Sequence, residues 1–168
     1  MAEYWDLYDA DRKPLGRSIK RGDAFAEGEY YVCCEVWVRN SEGKFLVTQR
    51  HPDKKAGGLW EFTGGGVLAG ETTKQAAVRE LDEELSVHVE ESELALLEVY
   101  RHKNYFMDIF VVKSDVDIAT LVLQPEEVVD AKWVSDEELL RMIEEKQVVW
   151  SVGLRYGKYR ELLGGYIS

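Results

Sequence analysis

Residues 65–87 read GGVLAGETTKQAAVRELDEELSV, and this stretch decides the local architecture around which the rest of the chain must fold. Its opening glycines can turn tightly at little steric cost. Thr72 or Thr73 can then cap a helix that runs to about Leu85. The pattern predicts an amphipathic helix whose apolar stripe packs on a core. The stripe consists of Ala76, Ala77, Val78, Leu81 and Leu85.

The polar side of this helix carries three glutamates, Glu80, Glu83 and Glu84, at positions i, i+3 and i+4. Side chains at these spacings project from one face of a helix. Their carboxylates repel one another, and a hard cation such as Mg²⁺ relieves that repulsion while it also binds water and substrate phosphates. A solvated acidic face is the alternative interpretation, because the chain contains 32 Asp and Glu residues.

The spacing of the whole stretch favours the metal site, because it resembles the Nudix box. That box has the pattern Gly, five residues, Glu, seven residues, Arg-Glu-aliphatic-x-Glu-Glu-x-Gly-aliphatic. The single mismatch is Ser86, which stands where the helix should end and glycine is preferred. A left-handed serine costs roughly 1 kcal/mol, so the mismatch concerns local geometry and not metal chemistry. The matching residues are Gly65, Glu71, Arg79, Glu80, Leu81, Glu83, Glu84 and Val87.

Similarity to the Nudix hydrolases implies both a fold and a reaction. The fold is of the α+β class, an α/β/α sandwich with a mixed β-sheet and an N-terminal β-hairpin. The reaction is attack of water on one phosphorus of a diphosphate linkage, in a nucleoside diphosphate derivative or a related small molecule. The cofactor would be Mg²⁺, with Mn²⁺ as an alternative ion.

The same resemblance assigns roles to individual residues. Glu83 and Glu84 would be the principal metal ligands, and Glu80 would be a further ligand or the base for the attacking water. Arg79 would pair with a glutamate and orient it. Glu71 would brace the junction between loop and helix or reach the metal, and Gly65 would let the backbone approach the metal site.

A further acidic residue often precedes a late strand in Nudix enzymes. Glu126 and Glu127 occupy that place here, so Glu127 is a candidate catalytic residue, with a surface acidic pair as the alternative. The residues that bind substrate stay unknown, because the aromatic residues fall at strand positions typical of a core. Three cations near the glycines, Arg50, Lys54 and Lys55, could contact phosphates, although a solvated loop is the favoured interpretation.

We expect one domain over residues 1–168, built around the box at 65–87. Residues 1–28 predict a leading hairpin and a link, and residues 135–168 predict C-terminal helices. The first is capped by Ser135 and runs from Asp136 to about Lys146, and the second covers residues 152–163. Helices that lie between groups of strands predict a mixed sheet sandwiched by helices. The predicted strands are 29–38, 44–50, 60–62, 94–101, 105–113 and 128–133.

Two other functions are weighed against hydrolysis. The leading segment from Trp5 to Arg17 resembles Nudix proteins related to isopentenyl-diphosphate isomerase. Those isomerases use a catalytic cysteine in a Cys-Ser-His-Pro-like segment and a metal bound largely by histidines. Here residues 61–65 read EFTGG and residues 17–50 contain no histidine, which favours a hydrolase. A catalytically silent binding module is the third hypothesis, and the intact glutamate face disfavours it.

Charge and composition restrict the partners. Lys and Arg total 21 and Asp and Glu total 32, so the net charge of −11 disfavours a nucleic-acid polymer as ligand. It permits a small phosphorylated substrate bridged by divalent cations. No apolar run approaches a membrane span and no secretory signal is visible, so we expect a cytoplasmic protein without membrane partners. Cys33 and Cys34 are expected to be strand thiols. A homodimer is compatible with the family resemblance.

Overall fold

The computed structural model describes residues 1–165, and its elements follow the sequence pattern closely. The strands are β1 (Tyr4–Tyr8), β2 (Pro14–Lys20), β3 (Tyr31–Arg39), β4 (Phe45–Arg50), β5 (Trp60–Glu61), β6 (Thr63–Gly66), β7 (Ala95–Arg101), β8 (Tyr105–Lys113) and β9 (Val128–Val134). The helices are α1 (Thr73–Leu85), α2 (Asp136–Glu144) and α3 (Trp150–Tyr159). Short 3₁₀ turns cover Glu91–Glu93, Ile118–Thr120 and Arg160–Gly165.

Strand β3 is the centre of a seven-stranded mixed sheet. Strand β8 runs parallel to β3 along the whole length of β3. Strand β6 pairs antiparallel with β3, with Cys34 opposite Gly65. Strand β4 meets β3 only at Arg39 and Phe45 and then diverges to pair with β5 and β9. The sheet is therefore split between β3 and β4, and the short strands β5 and β6 lie at this split.

The two faces of β3 belong to different cores, because successive side chains on a strand point to opposite faces. On one face Val32, Cys34, Val36 and Val38 pack with the apolar stripe of α1. On the other face Trp37 packs with buried residues of α2 and α3. Helices thus cover both faces of a mixed sheet, which confirms the predicted α/β/α sandwich.

The N-terminal hairpin is a separate two-stranded antiparallel sheet of β1 and β2, as predicted. Backbone hydrogen bonds of 2.8 and 2.9 Å between Tyr8 and Tyr30 attach it to the start of β3. The Arg12 guanidinium also donates to both carboxylate oxygens of Asp108 on β8. These contacts hold the hairpin against the main sheet.

The helix ends agree with the predicted caps. The Thr72 hydroxyl accepts a hydrogen bond from the Gln75 backbone, and the Gln75 side chain accepts one from the Thr72 backbone, which completes a capping box. Ser135 accepts the backbone N–H of Glu138 in the same way. Helix α1 ends at Ser86, whose φ of 54° and ψ of 36° are the left-handed conformation in which glycine is preferred.

The structure differs from the sequence predictions in three places. The glycines 64–66 form strand β6 and not a loop, because their backbone pairs with β3. Helix α2 stops at Glu144, short of the predicted Lys146, which has a positive φ of 59°. The last helix begins at Trp150 and gives way to a 3₁₀ turn after Tyr159. Residues 166–168 of the predicted C-terminal segment lie outside the described residues.

Cys33 and Cys34 are buried free thiols, as predicted. Burial raises the pKa of the Cys33 thiol to about 12, so it stays protonated at neutral pH. Among residues 1–165, no helix has the length and apolar character needed to cross a membrane.

Candidate active site

The glycine strand β6 lies directly against the polar face of α1. A Cβ atom on Gly65 would overlap the carboxylate of Glu80, so this approach of strand and helix requires glycine. A Cβ atom on Gly64 would overlap the carbonyl oxygen of Cys34 on β3. The glycines therefore bring the Glu80 carboxylate against the backbone at the split in the sheet.

Arg79 gathers three glutamates around one guanidinium group. Its Nε and Nη2 atoms donate to the two carboxylate oxygens of Glu71, at 2.6 and 2.9 Å. Its Nη1 atom donates to Glu80 at 3.0 Å and to Glu83 at 3.3 Å. The guanidinium therefore orients two of the three predicted metal ligands, and Glu71 holds the guanidinium in place.

Glu71 also fixes the loop that leads into α1. Its second carboxylate oxygen accepts the backbone N–H of Leu68 at 2.9 Å. Burial alone would raise the pKa of this carboxyl, but the hydrogen bonds from Arg79 and Leu68 outweigh burial and lower it. Glu71 is therefore an ionised brace between the loop and the helix.

Glu80 is a half-buried carboxylate and Glu84 a buried one, on successive turns of α1. The Glu80 side chain is 15% exposed, and Glu84 is 8% exposed. Desolvation raises the pKa of Glu80 to about 7, although Arg79 opposes this shift. Desolvation also raises the pKa of Glu84, and the nearby charges of Glu80 and Glu61 add to the effect. A bound cation would restore the ionised form of both groups, so they fit a metal site.

Glu83 is the most accessible of the three glutamates, because its side chain is 49% exposed. In this conformation its carboxylate and that of Glu80 are directed at Arg79. Within the described range 1–165, no three Asp, Glu, His or Cys side chains converge in metal-ligand geometry. Coordination by Glu80, Glu83 and Glu84 would therefore require side-chain rotation away from Arg79.

Glu127 lies immediately before β9 and forms an ion pair with Lys54. Lys54 belongs to the loop at 51–59, and its charge acts on Glu84. Burial lowers the pKa of Lys54, so this lysine is held in a partly desolvated position. Glu127 is thus connected through Lys54 to the buried end of α1, whereas Glu126 is exposed.

Glu61 on β5, which no sequence pattern singled out, is a further half-buried carboxylate whose charge acts on Glu84. Arg50 donates from Nη1 to both Glu61 oxygens, at 2.8 and 3.0 Å, and from Nε to the Lys55 carbonyl at 2.8 Å. Desolvation raises the pKa of Glu61. The sequence did contain an indication that Glu61 has a special place. It is a charged residue between two aromatic residues, Trp60 and Phe62, directly before the glycines.

A cleft of about 390 Å³ opens beside the glycine strand. Its walls come from the N-terminal hairpin, the loop after β4, the glycine strand and α3. The cleft carries charges of both signs, because Glu61 and Glu35 also line it and form ion pairs with Arg50 and Arg155. The cationic side chains that line it are Arg21, Arg50, Lys55 and Arg155.

The hairpin contributes an aromatic side chain to this cleft. A Cβ atom on Gly66 would come within 2.5 Å of the Trp5 indole nitrogen, so the tryptophan packs directly on the glycine strand. The Trp5 ring stacks on Tyr31, with 4.4 Å between ring centroids and 8° between ring planes. The hairpin is therefore part of the cleft wall.

Comparison with known proteins identifies the family. The NUDIX domain family matches residues 32–151, a range that includes the glycine strand, α1 and the start of α3. The chain belongs to the Nudix family. Nudix hydrolases generally act with divalent ions such as Mg²⁺ or Mn²⁺, and the oxygen donors of α1 suit such ions.

Individual relatives agree with this assignment. This Nudix chain is 36% identical over 139 residues to an uncharacterised Nudix hydrolase of Listeria monocytogenes, with 82% of each chain covered. It is 30% identical over 134 residues to an RNA pyrophosphohydrolase of Erythrobacter litoralis, covering 68% of this chain and 81% of the relative. A crystal structure of a Deinococcus radiodurans protein gives a TM-score of 0.73 at 25% identity, covering 88% of this chain and 92% of that one. The Nudix chain is accordingly an enzyme of the pyrophosphohydrolase type.

Proposed function

We propose that this Nudix enzyme hydrolyses the diphosphate linkage of a nucleoside diphosphate derivative, or of a related small molecule, with Mg²⁺ as its ion. The observation that carries the proposal is the position of Glu80 and Glu84. The half-buried Glu80 and the buried Glu84 lie behind a glycine strand, and this strand lines a cleft that contains arginine and lysine side chains. Oxygen donors for a hard cation and cations for phosphate oxygens thus meet at one place.

Glu80, Glu83 and Glu84 would hold the ion, because their carboxylates supply the oxygen ligands that Mg²⁺ prefers. When bound, a divalent ion neutralises charge on phosphate oxygens and acidifies water. Arg79 acts as a positioning residue, since it contacts both Glu80 and Glu83 while Glu71 holds its other side. The supporting observation is that Arg79 has carboxylate partners on both edges of its guanidinium plane.

The proton of the attacking water needs an acceptor, and two residues are candidates. Glu80 is the first candidate, because Arg79 and the glycine strand fix the position of its carboxylate. Glu127 is the second candidate, because its ion pair with Lys54 places it beside the charges that act on Glu84. Comparing the turnover of E80Q and E127Q at saturating Mg²⁺ distinguishes them, because the base variant loses turnover even with the ion bound.

Cations on two sides of the cleft would bind the substrate phosphates. Lys55 is exposed and forms no ion pair within residues 1–165, so its ammonium group is available to an anion. Arg21 lies on the hairpin side of the cleft, whereas the charge of Arg50 is balanced by Glu61. Guanidinium and ammonium groups are the usual protein partners of phosphate oxygens.

The test uses two neighbouring carboxylates on the same helix. Glu83→Gln is expected to lower Mg²⁺-dependent phosphate release by about 100-fold or more, because it removes one of the groups that stabilise the transition state. Glu83 is half exposed, so the variant should keep its fold and melting temperature. Asp82→Asn is the matched control, since Asp82 is exposed and forms an ion pair with His88, away from Arg79 and the glutamates. Undiminished turnover by E83Q would contradict the proposal.

The substrate panel also separates the rival functions. It contains nucleoside di- and triphosphates, nucleotide sugars, ADP-ribose, dinucleoside polyphosphates, coenzyme A and isopentenyl diphosphate. Conversion of isopentenyl diphosphate to dimethylallyl diphosphate would replace hydrolysis by isomerisation. Binding without metal-dependent turnover of any compound would indicate a binding module.

A further inference from the structure

Glu35 on β3 and Arg155 on α3 form a buried ion pair in the wall of the cleft. Each residue is only 3% exposed, and both line the cleft. Arg155 donates to Glu35 from Nη2 at 2.6 Å and from Nε at 3.2 Å. The Trp37 indole N–H also donates to Glu35, at 2.9 Å. The carboxylate is therefore well satisfied by its surroundings.

One edge of the Arg155 guanidinium is not used by this pair. Its Nη1 atom donates to no acceptor among residues 1–165, while Nε and Nη2 face Glu35. The Nη1 atom is not sealed from solvent: it keeps access to water in the cleft, and an acceptor on a bound ligand can replace that water. A guanidinium that lines a cleft with a free edge is therefore suited to an acceptor on a bound ligand.

The charge of the pair decides which acceptor fits. Glu35 already balances Arg155, so the pair carries no net charge. A second anion placed there would lie in a desolvated position close to the Glu35 carboxylate, and the two negative charges would repel. A neutral carbonyl oxygen has no such penalty. Arg155 in this respect differs from the exposed Lys55, which suits a phosphate.

The surfaces around Arg155 are suited to a flat ring. Apolar side chains from three elements line the same cleft, and its volume lies in the range of small-ligand pockets. Glu35 pairs across the sheet with Gly64, the residue before Gly65, which abuts Glu80. A nucleotide with its base at Arg155 would thus direct its diphosphate toward the glutamates of α1. The apolar lining residues are Phe62, Met107, Val149 and Val152.

We propose that Arg155 is a specificity residue that donates hydrogen bonds to a carbonyl oxygen of the substrate base. The enzyme would then prefer nucleotides of uracil, cytosine or guanine, which carry a keto oxygen, over those of adenine, which has none. This inference rests on the proposed function for its diphosphate substrate. It concerns base recognition and not the hydrolytic step.

The first measurement compares UDP-glucose with ADP-glucose, which share the diphosphate and the sugar. We expect kcat/KM to be about tenfold or more higher for UDP-glucose, which is the usual effect of one charge-assisted hydrogen bond. The Glu35→Gln/Arg155→Met double variant removes both charges and so leaves no buried charge unpaired. It should lose this preference through a higher KM for UDP-glucose, with little change in kcat. Arg160→Met, which alters an arginine outside the cleft, should retain the preference.

The second measurement tests recognition of the base in the absence of catalysis. Binding of UMP, GMP and AMP is measured by calorimetry in the presence of EDTA, on the wild type and the double variant. Tighter binding of UMP and GMP than of AMP by the wild type, with this preference lost in the double variant, supports the inference. If the enzyme nevertheless hydrolyses no substrate, the lack of hydrolysis contradicts only the proposed function. Equal binding of the three nucleotides by the wild type, or an unchanged preference in the double variant, overturns the inference.

Discussion

Arg12 of the N-terminal hairpin donates one hydrogen bond to each carboxylate oxygen of Asp108 on β8, at 2.6 and 2.7 Å. The Asp108 side chain is 7% exposed, whereas that of Arg12 is 31% exposed. The hairpin therefore supplies the counter-charge for a carboxylate buried in the main sheet. Removal of that counter-charge leaves an uncompensated charge where water cannot reach it.

Arg12→Met is accordingly expected to lower the free energy of unfolding by about 3 kcal/mol. The measurement is urea denaturation followed by circular dichroism. The Arg12→Met/Asp108→Asn double variant serves as the control, because it removes the buried charge together with its partner. It should recover a large part of the loss. Equal destabilisation of the single and double variants would mean that the contact acts through packing and not through charge.

Gly65→Ala is expected to abolish most activity while the fold persists. The added methyl group would overlap the Glu80 carboxylate and force it from its position beside Arg79. A loss of about 100-fold in kcat is expected, because small misplacements at a reacting centre have effects of that size. Gly157→Ala on α3 is the control, since a Cβ there meets no atom within 4 Å. Full activity in G65A would show that the position of Glu80 does not matter for turnover.

Ser86→Gly is expected to stabilise the protein by about 0.5–1 kcal/mol. Ser86 has a left-handed backbone with φ of 54°, a conformation in which glycine has no Cβ penalty. Thermal denaturation of the variant should show a higher melting temperature with unchanged activity. A lower melting temperature would mean that the side chain of Ser86 contributes more than the backbone strain costs.

Asp136 should make stability depend on pH in the acid range. Hydrogen bonds from Arg160 and from Tyr156 hold the pKa of this carboxyl below its ordinary value. A carboxyl whose pKa is lowered by folding stabilises the protein above the unfolded-state pKa, and this contribution is lost as the pH falls through the folded-state pKa. Asp136→Asn should therefore be less stable than the wild type at pH 7, and the difference should shrink below about pH 4.

The control for this comparison is Glu137→Gln, because Glu137 is an exposed neighbour in the same first turn of α2. It should have a smaller effect at pH 7. A difference between D136N and the wild type that stays constant down to pH 3 would argue against ionisation as its source. Denaturation at a series of pH values gives both curves.

The features that could be predicted from the sequence are those whose partners are near in the chain. The Thr72 cap, the stripe of α1 and the relation of Glu80 to Glu83 and Glu84 all follow from the helical repeat. Alternation along the strand likewise predicts that Val32 and Val36 share one face of β3, and both pack with α1. Local geometry alone relates these residues.

The features that could not be predicted depend on how distant segments come together. Glu35 and Arg155 are 120 positions apart, and their contact depends on α3 folding back over the sheet. Glu61 acquires its role only because β3 and β4 diverge, which places β5 at the split. The periodicity of the sequence does not indicate how α3 packs over the sheet or where β3 and β4 diverge.

The family match begins at residue 32, yet Trp5 and Arg21 from the preceding hairpin line the cleft. A fragment cut at the family boundary would keep the glutamates of α1, but it would lose one wall of the cleft and the arginine that neutralises Asp108. The hairpin therefore serves both the stability of the sheet and the shape of the cleft, and neither property belongs to the matched range alone.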